Sequence, residues 1–388
     1  MLEVPCDRAR SGAVPFRRGA DEEVVDVAID GGPDLVQLLT PEGVLRGHRD
    51  FALTLTDDQW RGRYEDLVMV RRLDAEATAL QRHGELGLWA PCQGQEAAQV
   101  GAAHAVRADE RIFPTYREHG MAYVRGVDPV TLLGLFRGTT LGGWDPAEHG
   151  FNLYTIVIGD QALHAVGYAM GVQRDGADEA VLVCFGDGAS SQGDVAESFV
   201  YAAVNDAPVV FFCQNNQWAI SEPLERQTRI PLFRRAAGYG FPGVRVDGND
   251  VLAVQAVVAA AMERARGGAG PTLVEAFTYR MGAHTTSDDP TRYRTTAEGE
   301  AWKLKDPIER VRAHLVRSGL ADAAFLAEVD GRAEALGEHM RTACRALPDP
   351  LPASMFDDVY AAPHPVIERE RAWLGRYLAG FAEPPGRH

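Results

Sequence analysis

The chain has 388 residues, 46% of them hydrophobic and 24% charged, with a formal net charge of −16. That is the composition of a globular protein with a large core or two domains, and so acidic a chain lacks the Lys and Arg clusters that bind phosphate backbones, which excludes nucleic acid as a partner. No apolar stretch is long enough to span a bilayer and the N-terminus has no signal-peptide core, so no membrane partner and a cytoplasmic location are expected.

Five cysteines stand at positions 6, 92, 184, 213 and 344, an odd number with no CxxC pair. They argue against a disulfide framework or a zinc site and fit a reducing compartment.

Residues 1–55 read as an N-terminal extension with short strands, turned at Gly31-Gly-Pro33 and Pro41-Glu-Gly43. Thr56-Asp-Asp58 caps a helix that runs through Trp60 to His83, where Gly84 and Gly87 end it. A second helix is predicted from Gly94 to Ala105 and a third from Asp128 to Phe136. Ala162, Val166, Ala169 and Met170 then recur at helical spacing, with Gly167 and Gly171 offering a face for close approach of another helix. The apolar run Ala180–Phe185 stops at Gly186-Asp-Gly188, and a helix with Val195, Phe199, Ala202 and Ala203 on one face follows. A second run, Val209–Cys213, stops at Gln214-Asn-Asn216. Val244–Val246 and Thr272–Tyr279 read as further strands around an amphipathic helix, Val251–Arg266.

Short doubly buried strands alternating with helices predict an α/β fold, an open parallel sheet flanked by helices, from roughly 150 to 285. Residues 305–345 are predicted helical, Leu347–Pro352 a break, and 363–380 a last helix. The expected organisation is therefore an extension over 1–55, an α/β domain over 56–345 and a C-terminal helical tail over 346–388.

Open α/β sheets bind ligands beyond the carboxyl ends of their strands. There the chain carries Asp187 between two glycines, then Gln214, Asn215 and Asn216, then Arg280 and His284. Bare backbone at Gly188 lets a ligand approach and presents N–H groups to phosphate. One carboxylate, one amide oxygen and a backbone carbonyl beyond Asn216 make half an octahedron, which a diphosphate and a water complete around Mg²⁺. A dinucleotide fingerprint is ruled out because the third glycine of Gly186-Asp-Gly-Ala-Ser-Ser-Gln-Gly193 is misplaced, which weakens a nicotinamide oxidoreductase reading. A P-loop is ruled out because Asp194 stands where its lysine belongs. Taken singly, these residues are also ordinary turn residues, His284 a surface histidine, and Tyr116-Arg-Glu118 a solvated helix start.

Gly186-Asp-Gly188 followed by Asn215-Asn216 about thirty residues on is the thiamine-diphosphate signature, and the chain resembles the alpha subunit of the decarboxylating component of 2-oxo acid dehydrogenase complexes. The resemblance is carried in family order by Gln93-Gly-Gln-Glu-Ala97, Thr115-Tyr-Arg-Glu118, Gly186–Asp194, Gln214–Ser221, Val246-Asp-Gly-Asn249, Tyr279-Arg280 and His284–Arg294. It implies that Asp187, Asn216 and the Trp218 carbonyl bind Mg²⁺. Tyr116, Arg117 and His284 are implied for the diphosphate, with Gly186 in the signature and the N–H groups of Gly188 and Ala189. Ile156 and Ile158 are implied to cradle the aminopyrimidine, and His284, Tyr293 and Arg294 to serve the reaction, the last two on a loop that orders around the cofactor. It further implies a beta subunit supplying the activating glutamate, a heterotetramer of two alpha and two beta chains, and a lipoyl-bearing acyltransferase that takes the acyl group. The expected substrates, in order, are branched-chain 2-oxo acids, pyruvate and acetoin; a non-catalytic binding module of the same fold is the alternative of another class. Three positions depart from the family pattern: Gln214, where branched-chain members often carry Arg; Asp160, where a small residue is frequent; and Trp144–His149, which keeps only His149 as a pocket candidate.

Overall fold

The computed structural model describes residues 34–140 and 142–381, so the turn expected at Gly31–Pro33 lies outside the described residues. Eight strands are described: β1 (Leu35–Val36), β2 (Arg111–Phe113), β3 (Val181–Gly186), β4 (Val209–Asn215), β5 (Trp218–Ala219), β6 (Glu222–Pro223), β7 (Gly243–Asp247) and β8 (Thr272–Phe277). Six of them form one parallel sheet in the order β1-β7-β8-β4-β3-β2, while β5 and β6 make a small antiparallel hairpin. The expected open parallel sheet is thus observed, and it extends beyond the 150–285 window. Its two edges come from β1 and β2, which are only two and three residues long and too short to leave a periodic pattern.

The central strands carry apolar side chains on both faces because helices cover both. Val181, Val183, Phe185, Val209 and Phe211 face one cluster with Phe199 and Phe241; Leu182, Cys184, Val210 and Phe212 face the other with Ala98, Val254 and Val258. The helix Asp57–Arg82 begins where expected, with Thr56 and Gln59 in a reciprocal capping box. The helix Val251–Arg266 is bounded as expected, but only its second half is amphipathic: Val251 to Val258 are all buried, since the helix lies between the sheet and the helix Glu96–Ala105, whereas Ala260 and Glu263 are exposed opposite buried Ala261, Met262 and Ala265. The helical region after 305 is two helices, Pro307–Arg317 and Ala323–Ala346. Short helices at His119–Val124 and Pro146–His149 were not apparent in the sequence.

Gly167 and Gly171 stand on the helix Asp160–Asp175, and no atom of any other described element comes within 4 Å of where their Cβ atoms would be. Among the described residues, then, no helix packs closely on that face. Cys92, Cys184, Cys213 and Cys344 are free and buried. No helix among the described residues is long and apolar enough to cross a membrane.

Candidate active site

Parallel strands end on one side of a sheet, and here the segments after β2, β3, β4 and β8 converge on a cavity of about 500 Å³, a size usual for small-ligand sites. Tyr116 and Arg117 follow β2, Asp187, Gly188 and Ala189 follow β3, Asn216 and Trp218 follow β4, and Arg280 and His284 follow β8; all line the cavity, as does Gly186 at the end of β3. Ile156 and Ile158 line it from the segment before the helix Asp160–Asp175.

Asp187 is 1% exposed. Its Oδ1 accepts the Asn216 backbone N–H at 3.3 Å and its Oδ2 accepts Gln227 Nε2 at 2.8 Å. Burial nonetheless pushes its carboxyl above the ordinary carboxylate range, the position of a charge that gains from a nearby cation. The Asn216 Oδ1 accepts the Trp218 N–H at 3.3 Å, and the Trp218 carbonyl accepts Arg280 Nη1 at 2.8 Å. A carbonyl oxygen has a second lone pair to offer. One carboxylate with amide and peptide oxygens is a hard donor set, suited to Mg²⁺ rather than zinc. Gly188 is required sterically: a Cβ there would lie 2.7 Å from the Ala219 Cβ.

Opposite stands a cationic group. Arg117 is buried rather than solvated, donating to the Pro91 carbonyl at 2.5 Å and to the His284 carbonyl at 2.9 Å. Its Nη2 also lies 3.2 Å from His284 Nδ1. A guanidinium only donates, so Nδ1 accepts and the imidazole proton sits on Nε2. Burial, with Arg117 and Arg280 nearby, lowers the His284 pKa to about 3. Burial and Arg117 also lower that of Arg280, to about 10. The Nε of Arg280 and the Oε1 of Gln161, both residues lining the cavity, are buried without a hydrogen-bond partner. Two crowded guanidiniums and a neutral histidine with one N–H suit an anion of several oxygens, so the residues present fit a diphosphate with its cation.

Tyr293 and Arg294 do not line the cavity. The Tyr293 hydroxyl bonds Asp288, whose carboxylate also accepts the His284 backbone N–H at 2.9 Å, and Arg294 donates to the carbonyls of Met281 and Gly282 at 2.9 and 2.6 Å. Both brace the 280–294 loop by bonds within it. His149 is also outside the cavity, its Nδ1 lying 3.1 Å from the Arg125 carbonyl. Asp160 is partly exposed, with His164 Nδ1 3.5 Å away, and nothing in the structure explains its departure. Sequence reasoning missed Gln95, Gln161 and Gln227 as site residues. Gln95 and Gln161 carried a signal, in their places within Gln93–Ala97 and Gly159-Asp-Gln161; Gln227 carried none.

Among known proteins, residues 64–348 match the family described as "Dehydrogenase E1 component". The chain is 46% identical over 345 residues to the 3-methyl-2-oxobutanoate dehydrogenase subunit alpha of Mycobacterium tuberculosis, covering 89% of this chain and 94% of that one. It is 40% identical over 307 residues to the pyruvate dehydrogenase E1 component subunit alpha of Staphylococcus aureus, covering 78% and 82%. The corresponding subunit of Staphylococcus epidermidis is 40% identical over 292 residues, 74% and 78% of the two chains.

Proposed function

The chain belongs to the dehydrogenase E1 component family, as an alpha subunit of the 2-oxo acid dehydrogenase type, and from that premise we propose that it acts on a branched-chain 2-oxo acid, with Mg²⁺ and a beta subunit, in the cytoplasm. The higher identity to the 3-methyl-2-oxobutanoate enzyme supports that substrate class over pyruvate, with acetoin third. The family is thiamine-diphosphate-dependent. When bound, thiamine diphosphate supplies the nucleophilic carbon and the electron sink for loss of carbon dioxide.

The chain's own part is to hold and orient. Asp187 and Asn216, with the Trp218 carbonyl, hold Mg²⁺. Tyr116, Arg117, His284 and the N–H groups beyond Gly186, at Gly188 and Ala189, take the diphosphate. Ile156 and Ile158 support the organic part of the cofactor and keep water from it. Neutral His284 offers its Nε2–H as a hydrogen bond to an anionic oxygen of cofactor or substrate, and Tyr293 and Arg294 keep its loop in place. The glutamate that activates the cofactor belongs to the beta subunit in a heterotetramer, and a lipoyl-bearing acyltransferase receives the acyl group.

The observation that carries this reading is the buried Asp187 carboxylate, hydrogen-bonded to Asn216 across neighbouring strand ends and facing buried cations in one cavity. The test is copurification with a beta chain, then thiamine diphosphate binding with and without Mg²⁺ and a screen of 2-oxo acids. Mg²⁺-dependent binding with turnover of branched-chain acids is expected. No binding favours the non-catalytic module, and full turnover by this chain alone overturns the heterotetramer.

A further inference from the structure

Asn216 serves Mg²⁺ only if its oxygen, not its NH₂, is turned toward the cation, and the two ends of a carboxamide are nearly equal in size. Four buried side chains decide the matter: Gln95, Gln214 and Glu118, which line the floor of the cavity, and Gln99, which does not. Gln99 Nε2 donates to the Arg117 backbone carbonyl at 3.0 Å, and its Oε1 accepts the Gly120 backbone N–H at 2.8 Å. Backbone carbonyls only accept and backbone N–H groups only donate, so Gln99 has one orientation. The same Nε2 lies 3.2 Å from Gln214, which must therefore present Oε1 and turn its own Nε2 to Glu118 Oε1 at 2.6 Å. Gln214 Oε1 also meets Gln95 at 3.3 Å, which must present Nε2. Gln95 Oε1 is then left for Asn216, which must present Nδ2, at 2.7 Å. At the far end the Trp218 backbone N–H, again donor only, meets Asn216 Oδ1 at 3.3 Å.

We infer that Gln99, Gln214 and Gln95 form a directional amide relay, anchored on the Arg117–Gly120 backbone, that holds Asn216 with Oδ1 turned to the metal. Gln95 and Gln214 are positioning residues, acting through Asn216. Glu118, 2% exposed and accepting Thr115 Oγ1 at 2.6 Å, reinforces the relay by taking the Gln214 NH₂ group. Reversing any one amide sets donor against donor or acceptor against acceptor, among side chains that are almost wholly buried. The relay also joins the Arg117 turn to Asn216, so both walls of the site share one hydrogen-bonded frame.

This inference rests on the proposed Mg²⁺ role of Asn216, and a cycle of variants separates the two. In the copurified alpha–beta pair, Mg²⁺ is titrated calorimetrically at fixed thiamine diphosphate. Gln95→Met, of similar length and without polar groups to orient its neighbour, should weaken Mg²⁺ about 10- to 100-fold. Asn216→Asp has two equivalent oxygens and nothing to orient; in that background Gln95→Met should change Mg²⁺ affinity by less than about twofold or strengthen it. A Gln95→Met effect that is absent in both backgrounds, or equally large in both, overturns the relay while leaving the Mg²⁺ site standing. Absence of Mg²⁺-dependent binding in the wild type overturns the site and the relay with it. Should Gln95→Met fail to copurify, Gln214→Met carries the same cycle one link further back, with the same two outcomes.

Discussion

The floor and the rim of the cavity are built by opposite rules. The floor, around Asp187, Asn216, Gln95, Gln214 and Arg117, is polar, buried and densely hydrogen-bonded within the chain. The rim, at Ile156, Val157 and Ile220, is apolar and 63%, 67% and 55% exposed. Polar groups are costly to bury without partners, and here the chain supplies most of the floor's partners itself. Apolar groups gain from being covered, and here the chain leaves three adjacent to its cavity in the open. One half of the site is finished by folding, then, and the other is in a state that suits completion by a second subunit.

The largest expected effect strikes the floor. Asp187→Ala removes its one metal-facing carboxylate and should weaken Mg²⁺-dependent thiamine diphosphate binding at least about 100-fold; calorimetry giving less than a tenfold change would take the floor out of cofactor binding. Val157→Asp probes the rim in the opposite sense. The stability of the chain should stay within about 0.5 kcal/mol, as for exposed substitutions generally, while copurification with the beta subunit is lost. Thermal unfolding that drops sharply instead would make the rim part of the fold.

A smaller change sharpens the boundary between the regions. Ile158→Ala, at the junction of rim and cavity, should lower turnover of the assembled pair about tenfold with cofactor affinity within about threefold, reflecting lost transition-state positioning rather than lost binding. Equal losses in both would assign Ile158 to binding alone. The smallest effect is in pH. His284 has a pKa of about 3 in the folded chain against the ordinary histidine value of 6.5, so the unfolded chain takes up the extra proton. Its contribution to stability is full above about 6.5 and declines as pH falls toward 3. Compared with His284→Gln, the wild type should lose melting temperature between pH 7 and 5.5; a difference that does not vary with pH would mean that His284 titrates normally.

The strand ends were legible in the sequence because apolar runs and the glycines after them are local signals. Asp187, Asn216, Arg280 and His284 fell at positions where parallel topology requires one shared edge. Tyr116-Arg-Glu118 was harder. A charged tripeptide reads as solvated until a fold encloses it, and only the packing of 90–120 against the sheet shows Arg117 and Glu118 to be buried. Gln95 and Gln214 were within stretches already singled out, yet their linkage spans more than a hundred residues and has no periodicity to betray it.

By itself the sequence determined the α/β class, the central strands and the donor types at their ends, because hydrophobic runs and side-chain chemistry are properties of neighbouring residues. Tertiary structure decided the edges of the sheet, the all-round burial of Val251–Val258, the position of Tyr293 and Arg294 outside the cavity lining, and the direction of the amides of Gln99, Gln214, Gln95 and Asn216. Those depend on which donor meets which acceptor across the fold, and that is settled only when the chain has closed upon itself.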